Sequence, residues 1–222
     1  RTARGLPGGL DDSAEPLRYR VALIGVAAGG ALLVGFGIAA GLTWWIAVIY
    51  FLVYFALAVL VSRIRAEVGL PTHDMHVMGP HSILIATSGT QALGPQNLTI
   101  FSLFYWFNRT YASHPMPHQM EAFKLAERTG ASARRMAAAT LIAVAFAMPC
   151  AFWLLLDNAY QNGCATGRVE TWGSGFGNEV YNRLQSWTRN STPVNYPALG
   201  FVGGGFGFAT LQIGRASCRE RV

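Results

Sequence analysis

The sequence predicts an all-α polytopic integral membrane protein, read as a fragment with about four transmembrane helices plus a re-entrant or broken-helix segment. Three observations predict it. Forty-two consecutive residues, 21–62, carry no charge (VALIGVAAGGALLVGFGIAAGLTWWIAVIYFLVYFALAVLVS). The chain is 52% hydrophobic and 13% charged, against about 25% charged in a typical soluble domain. Two more apolar stretches, 137–156 and 198–212, follow basic or polar segments. A helix rises about 1.5 Å per residue, so roughly 20 residues cross a hydrocarbon core of about 30 Å. The charge-free stretch is twice that length, and it is expected to form two spans joined by a very short turn.

The first span, 19–40, is too long in its apolar part for a secretory signal and is followed at once by a second. Its Gly25/Gly29 and Gly37/Gly41 pairs have the small-xxx-small spacing that lets helix backbones approach closely in lipid. The second span, 43–62, opens on Trp44 and Trp45, an aromatic pair suited to the membrane–water interface. Bulky Ile, Phe, Tyr and Leu follow. Arg18 and Arg20 precede the hairpin, and Arg63 and Arg65 follow it. The positive-inside rule makes that side cytoplasmic, so residues 1–18 are a polar cytoplasmic lead-in.

Lys124, Arg128, Arg134 and Arg135 place the start of the third span, 137–156, on the same side. Pro149 is expected to kink it, and Asp157 and Asn158 to close it. Residues 119–135 have helical character with both charge signs and read as a cytoplasmic helix near the membrane. The polar stretch 159–197 then falls on the outer side, where Phe176, Val180, Tyr181, Leu184 and Trp187 lie close to the spacing of an interfacial helix. A Gly-rich fourth span begins near Ala198 and reaches 212, which makes 19–212 the membrane domain. The last ten residues, 213–222 (IGRASCRERV), are abruptly polar and read as translated sequencing-adapter DNA. Without them the chain has 14 basic and 10 acidic residues, a formal charge of +4 in place of +6. The start at Arg1, without Met, reads as an internal piece of a longer protein. Cys150 and Cys164 form no disulfide framework and no metal motif.

Residues 64–114 begin and end on the cytoplasmic side, yet they are too apolar for a free loop. SILIATSGTQAL (82–93) and LTIFSLFYWF (98–107) are each too short to span, and the intervening LGPQN is a natural turn. We read 82–107 as a re-entrant hairpin or a pair of broken helices. Two full crossings, or a cytoplasmic lid, are the alternatives. Irregular backbone at membrane depth survives only where protein or a polar cavity covers it, and interrupted helices with Gly and Pro mark transporter sites.

The chemistry gathers in the same region. All five histidines, His73, His76, His81, His114 and His118, fall within 46 residues. Glu67, Asp74 and Asn97 accompany them. Glu67, His73, Asp74, His76, His81 and Asn97 are the candidates for substrate binding or proton coupling, since imidazole changes charge near neutral pH. His73 and His76 are a weak candidate metal pair. A metal centre needs three or four ligands with a supporting shell, and this spacing matches no standard zinc motif, so no metal or cofactor is expected. The bland reading has these polar residues capping helices and meeting head groups. His114 and His118, in SHPMPHQ, read as part of a turn. Three Asn-X-Ser/Thr matches, at Asn97, Asn108 and Asn190, read as chance. No phosphate-binding Gly loop, catalytic motif or nucleic-acid patch is present, so the chain is not read as an enzyme.

The runs RIRAEVGLPTHDMHVMGP (63–80), PMPHQMEAFKLAERTGASARRM (115–136) and FWLLLDNAYQNG (152–163) resemble an uncharacterised family of bacterial and archaeal polytopic membrane proteins, a domain of unknown function. The resemblance covers nearly all of 20–212. Family members are generally longer, with a dozen or more spans, and their organisation is distantly similar to the oligopeptide transporter superfamily. The resemblance implies a multi-pass protein of the cytoplasmic (inner) membrane, part of a secondary transporter for a small organic solute such as a peptide or metal chelate. Its expected partners are the lipid bilayer and that solute, with no nucleic acid. A membrane-embedded metal-dependent enzyme using His73, Asp74 and His76, or a non-transporting scaffold, are the alternatives.

Overall fold

The charge-free stretch folds as α1 (Tyr19–Ala40) and α2 (Trp44–Val68). Gly41 ends α1 in the left-handed region at φ 116°, with its N–H on the carbonyls of Gly37 and Ile38. Gly37 is the one glycine of α1 in tight packing: a Cβ there would stand 3.2 Å from the Phe51 ring and 3.3 Å from Leu42. Gly25 and Gly29 have nothing within 4 Å. Of the two small-residue pairs, then, Gly37 brings the helices together, Gly41 makes the turn, and the other pair packs on no described part of the chain.

The computed structural model describes residues 15–69, 74, 76, 78–112, 114–163 and 172–219. Among them the elements are all helices, continuing with α3 (Pro80–Leu103), α4 (Tyr105–Asn108), α5 (Pro115–Thr129), α6 (Ala133–Asn162), α7 (Trp172–Arg189) and α8 (Tyr196–Arg219). Three of them, α1, α2 and α6, are long and apolar enough to cross a membrane.

The element that organises the rest is α3. It begins with Pro80 in its first turn, a position where the missing N–H costs nothing. Two glycines inside it leave helical geometry: Gly89 (φ 74°, ψ 156°) and Gly94 (φ 73°, ψ 161°), with Pro95 directly after the second. Only glycine adopts that backbone without strain, and Pro95 has no N–H for a continuing ladder. The chain therefore folds back. Were residues 81–105 one straight helix, its ends would be about 36 Å apart; the rings of His81 and Tyr105 are instead 5.5 Å apart.

The returning leg runs parallel to α2, residue numbers rising together along both. Asn97 meets Thr43, Phe101 lies 5.1 Å from the Tyr50 ring, and Tyr54 meets Phe107 at 5.3 Å and Tyr111 at 5.8 Å. Tyr50 is fully buried and accepts a hydrogen bond at its hydroxyl from Asn108 Nδ2. Aromatic pairs of this kind contribute about 0.5–1.5 kcal/mol each beyond area burial, and packing of side chains is what holds helices together in lipid. Leu42, Ile46, Ala47, Leu84, Leu93 and Leu98 complete the core.

Several boundaries differ from the sequence reading. The helix expected over 119–135 starts earlier, at Pro115, and stops at Gly130, whose φ of 68° ends it. His118 lies inside that helix rather than in a turn, and His114 caps it, Nδ1 accepting from Met116 N at 3.3 Å. The third span is longer: α6 is continuous through Pro149 and passes Asp157 and Asn158, which accept from Gln161 and Asn162 one turn on. Within 159–197, α7 packs against α3, with Leu184 and Trp187 on the core and Tyr181 exposed. The stretch 198–212 lies in α8, whose helix continues to Arg219.

The linker from α7 to α8 lies directly on the first break of α3. Thr192 N–H donates to Thr90 Oγ1 at 2.8 Å, and Gln91 N–H points at Thr192 O at 3.4 Å. A Cβ on Gly89 would sit 2.6 Å from Thr192 O, whereas one on Gly94 meets nothing within 4 Å. Gly89→Ala should therefore destabilise most, Gly94→Ala by backbone strain alone of about 1–3 kcal/mol. Gly29→Ala should be neutral or slightly stabilising. Thermal unfolding of the three variants in detergent checks the order, and equal melting temperatures for Gly89→Ala and Gly29→Ala would contradict it.

Candidate functional site at the base of the hairpin

The hairpin brings a set of polar side chains together where its two legs end. His81 is 1% exposed and Asn108 is 0% exposed. His81 Nε2 lies 3.1 Å from Ser82 Oγ, while His81 Nδ1 and Asn108 Oδ1 are buried without a hydrogen-bond partner. Both face the same spot: a Cβ on Gly79 would stand 2.8 Å from His81 Nδ1 and 3.0 Å from Asn108 Oδ1. Unpaired buried polar atoms cost roughly 1–3 kcal/mol each, so the facing of His81 Nδ1 and Asn108 Oδ1 at one point makes the hairpin base a candidate site.

Next to this pair lies a charged cluster. Glu179 Oε1 accepts from the Tyr105 hydroxyl at 2.6 Å and from Arg183 Nη2 at 3.0 Å. Glu179 Oε2 lies 3.3 Å from Arg109 Nε. The Arg183 guanidinium sits over the Tyr105 ring, 5.1 Å from its centre, a cation–π contact. Tyr105 in turn meets His81 edge-on, and Trp187 lies 6.4 Å from the same imidazole. Three elements, α3, α4 and α7, thus converge on His81. The cluster holds one carboxylate and two guanidiniums, a net positive charge. The hydrogen bond from Tyr105, with help from the Arg183 and Arg109 charges, holds the Glu179 carboxyl below the usual carboxylate range.

Of the six residues singled out from sequence, the five described ones do not gather at one place. Glu67 is exposed and pairs with Arg63 on its own helix at 2.7 Å. Asp74 is exposed, its Oδ1 accepting from Thr110 Oγ1 at 2.6 Å and Tyr111 N at 3.1 Å. It ties down the chain leaving the hairpin. His76 is exposed in a turn, and His73 lies outside the described residues. Among the described residues no group of three His, Cys, Asp or Glu side chains is placed to hold a metal. Asn97 is buried at the opposite end of the hairpin from His81. Its Oδ1 accepts from Thr43 N at 2.9 Å, and its Nδ2 donates to Thr43 Oγ1 at 3.1 Å and Leu93 O at 2.7 Å. Sequence reasoning missed Tyr105, Asn108, Arg109, Glu179 and Arg183. The spacing of Glu179 and Arg183, four apart on one helix face, was the one visible hint.

Helices of membrane-spanning length and composition beside a broken helical hairpin define a helical membrane protein. The chain belongs to a family of unknown function (DUF6785), whose profile matches residues 1–219. No curated protein and no solved structure matches it.

Because the folded-state pKa of Glu179 is lowered, its ion pairs stabilise the fold above the ordinary carboxylate pKa. That contribution is lost as pH falls through the folded value. Glu179→Gln should lower stability at pH 7 by about 1 kcal/mol, an allowance for a partly exposed cluster. It should also flatten the decline of melting temperature below about pH 4.3, the ordinary Glu value. Superimposable melting-temperature profiles for the variant and the native chain from pH 7 to pH 3 would contradict this.

Proposed function

We propose that this chain is part of a secondary transporter for a small organic solute, a peptide or a metal chelate, and that α3 is the re-entrant element lining its path. The observation that carries the reading is the glycine-broken hairpin. Discontinuous helices packed against spanning helices are where such proteins place substrate and coupling ions. The net positive cluster of Glu179, Arg109 and Arg183 supports a substrate with a carboxylate, which a guanidinium binds in matched geometry. The distant likeness of organisation to oligopeptide transporters points the same way, as analogy of architecture.

Coupling to protons was expected across Glu67–His81. With Glu67 in an exposed ion pair and Asp74 tying down a loop, we assign it to His81, whose Nδ1 has no partner in its buried position. In this reading His81 takes up a proton when the hairpin base opens and gives it up on closure. The protein works in the cell membrane, with the bilayer and the solute as partners.

The intact chain reconstituted in liposomes, offered a mixture of di- and tripeptides under an inward proton gradient, tests this by mass spectrometry of the vesicle contents. Peptide should accumulate and the gradient should collapse faster with peptide present. His81→Gln should reduce accumulation about tenfold, equivalent to roughly 1.4 kcal/mol, while Glu67→Gln should change it less than about twofold, as for a surface pair. No accumulation under any imposed gradient would sink the transporter reading. Accumulation that survives His81→Gln unchanged would remove the proton assignment alone.

A further inference from the structure

A cavity of about 1060 Å³ opens between α5 and the first turns of α1 and α6. That is just above the roughly 300–1,000 Å³ typical of ligand sites. Its walls are of two kinds. At one end stand Glu15, Gln119, Lys124, Glu127 and Arg134; at the other stand Ala22, Ala137 and Leu141. Leu141 lies about 12 Å along α6 from Ala133, so the apolar end follows two membrane-length helices inward from their starts. No residue of α6 is buried, which leaves this apolar end open along the helix flank.

The polar end sets Lys124 and Arg134 against Glu15 and Glu127. Lys124 Nζ pairs with Glu127 at 2.7 Å, and that hydrogen bond holds the Glu127 carboxyl low, so it stays charged. Tyr19 donates to Glu15 at 3.2 Å, and Arg134 Nε reaches the Glu15 backbone oxygen at 3.4 Å. Arg18 and Arg20 flank Tyr19, Arg128 follows Glu127, and Arg135 follows Arg134. Of these cations Lys124 and Arg134 line the cavity itself, beside the start of α6 at Ser132 and Ala133, which has no side-chain cap. The other acid of α5, Glu121, faces α2 and is held by Arg65. The first turn of α6 carries arginines and no acidic residue, although a helix start favours negative charge.

We propose that this cavity binds one anionic phospholipid, with its phosphate between Lys124 and Arg134 and its acyl chains along α1 and α6. Basic pockets between spanning helices suit such head groups. A free phosphate would use the polar end and leave Ala22, Ala137 and Leu141 without a role; a phospholipid occupies both ends. The site lies apart from the hairpin base and does not depend on what the protein transports.

Native mass spectrometry of the intact chain in neutral detergent tests the assignment, using phosphatidylglycerol, phosphatidylcholine of the same acyl chains, and glycerol 3-phosphate. Phosphatidylglycerol should bind one per chain and about tenfold more tightly than phosphatidylcholine, and equimolar glycerol 3-phosphate should not displace it. Arg134→Gln and Lys124→Gln should each cut that affinity at least about fivefold, as should Ala137→Trp, which fills the apolar end. Arg63→Gln, whose charge lies on α2, should change it less than about twofold. Equal affinity for the two lipids would overturn the proposal, as would full affinity in a folded Arg134→Gln or Lys124→Gln variant. Displacement by glycerol 3-phosphate alone would mark a site for free anions and would overturn it too.

Discussion

One side chain, Asn97, ties together the parts on which the rest of the structure depends. It satisfies the Thr43 backbone and hydroxyl at the start of α2 and the Leu93 carbonyl next to the break at Gly94. Beside it Gln96 Nε2 donates to Gly41 O, the residue that ends α1, at 2.8 Å. The tip of the hairpin is therefore fastened to the turn between the first two helices. Interhelical hydrogen bonds within membranes average only about 0.6 kcal/mol, so this contact sets position more than it adds stability. Position is what matters, because it fixes the register in which the returning leg descends along α2. Tyr50 then meets Phe101, and Asn108 reaches the Tyr50 hydroxyl.

A helix broken twice exposes backbone that lipid cannot satisfy. The fold covers each break differently. The Gly94 break is served by Asn97. The Gly89 break is covered by the α7–α8 linker, which brings Thr192 onto Thr90 and Gln91. Covering the first break commits α7 to lie along α3, and that carries Glu179 and Arg183 to Tyr105. The charged cluster beside His81 is thus a consequence of how the broken backbone is covered. Loosening the linker from Gly89 would loosen the cluster, which gives the hairpin base a physical means of opening.

Much of this was legible in the chain. The charge-free stretch marked α1 and α2 because length and hydropathy are local properties, and the flanking arginines and the tryptophan pair agreed. The fold-back could be read from two apolar runs too short to span with LGPQN between them, since Gly94 and Pro95 break a ladder whatever surrounds them. What could not be read was which polar residues would meet. Glu67, Asp74 and His81 are near one another in sequence, yet a helix end and a turn send the first two to the surface while His81 enters the hairpin. Its partners come from residues 105–109 and 179–187, brought in by folding over long separations. Pro149 stays inside α6, because a single proline can be accommodated in a long helix of this kind.

The fold stands on the hairpin, whose two ends are accessible to measurement. Spin labels placed by cysteine substitution at Met78 and Trp106, both exposed, report the separation of the two legs at their base. In the intact chain, reconstituted in bilayers, the account predicts a distance less than half the approximately 42 Å that a continuous helix over the same residues would give. A distance near that longer value would contradict the fold-back, and with it the cluster around His81.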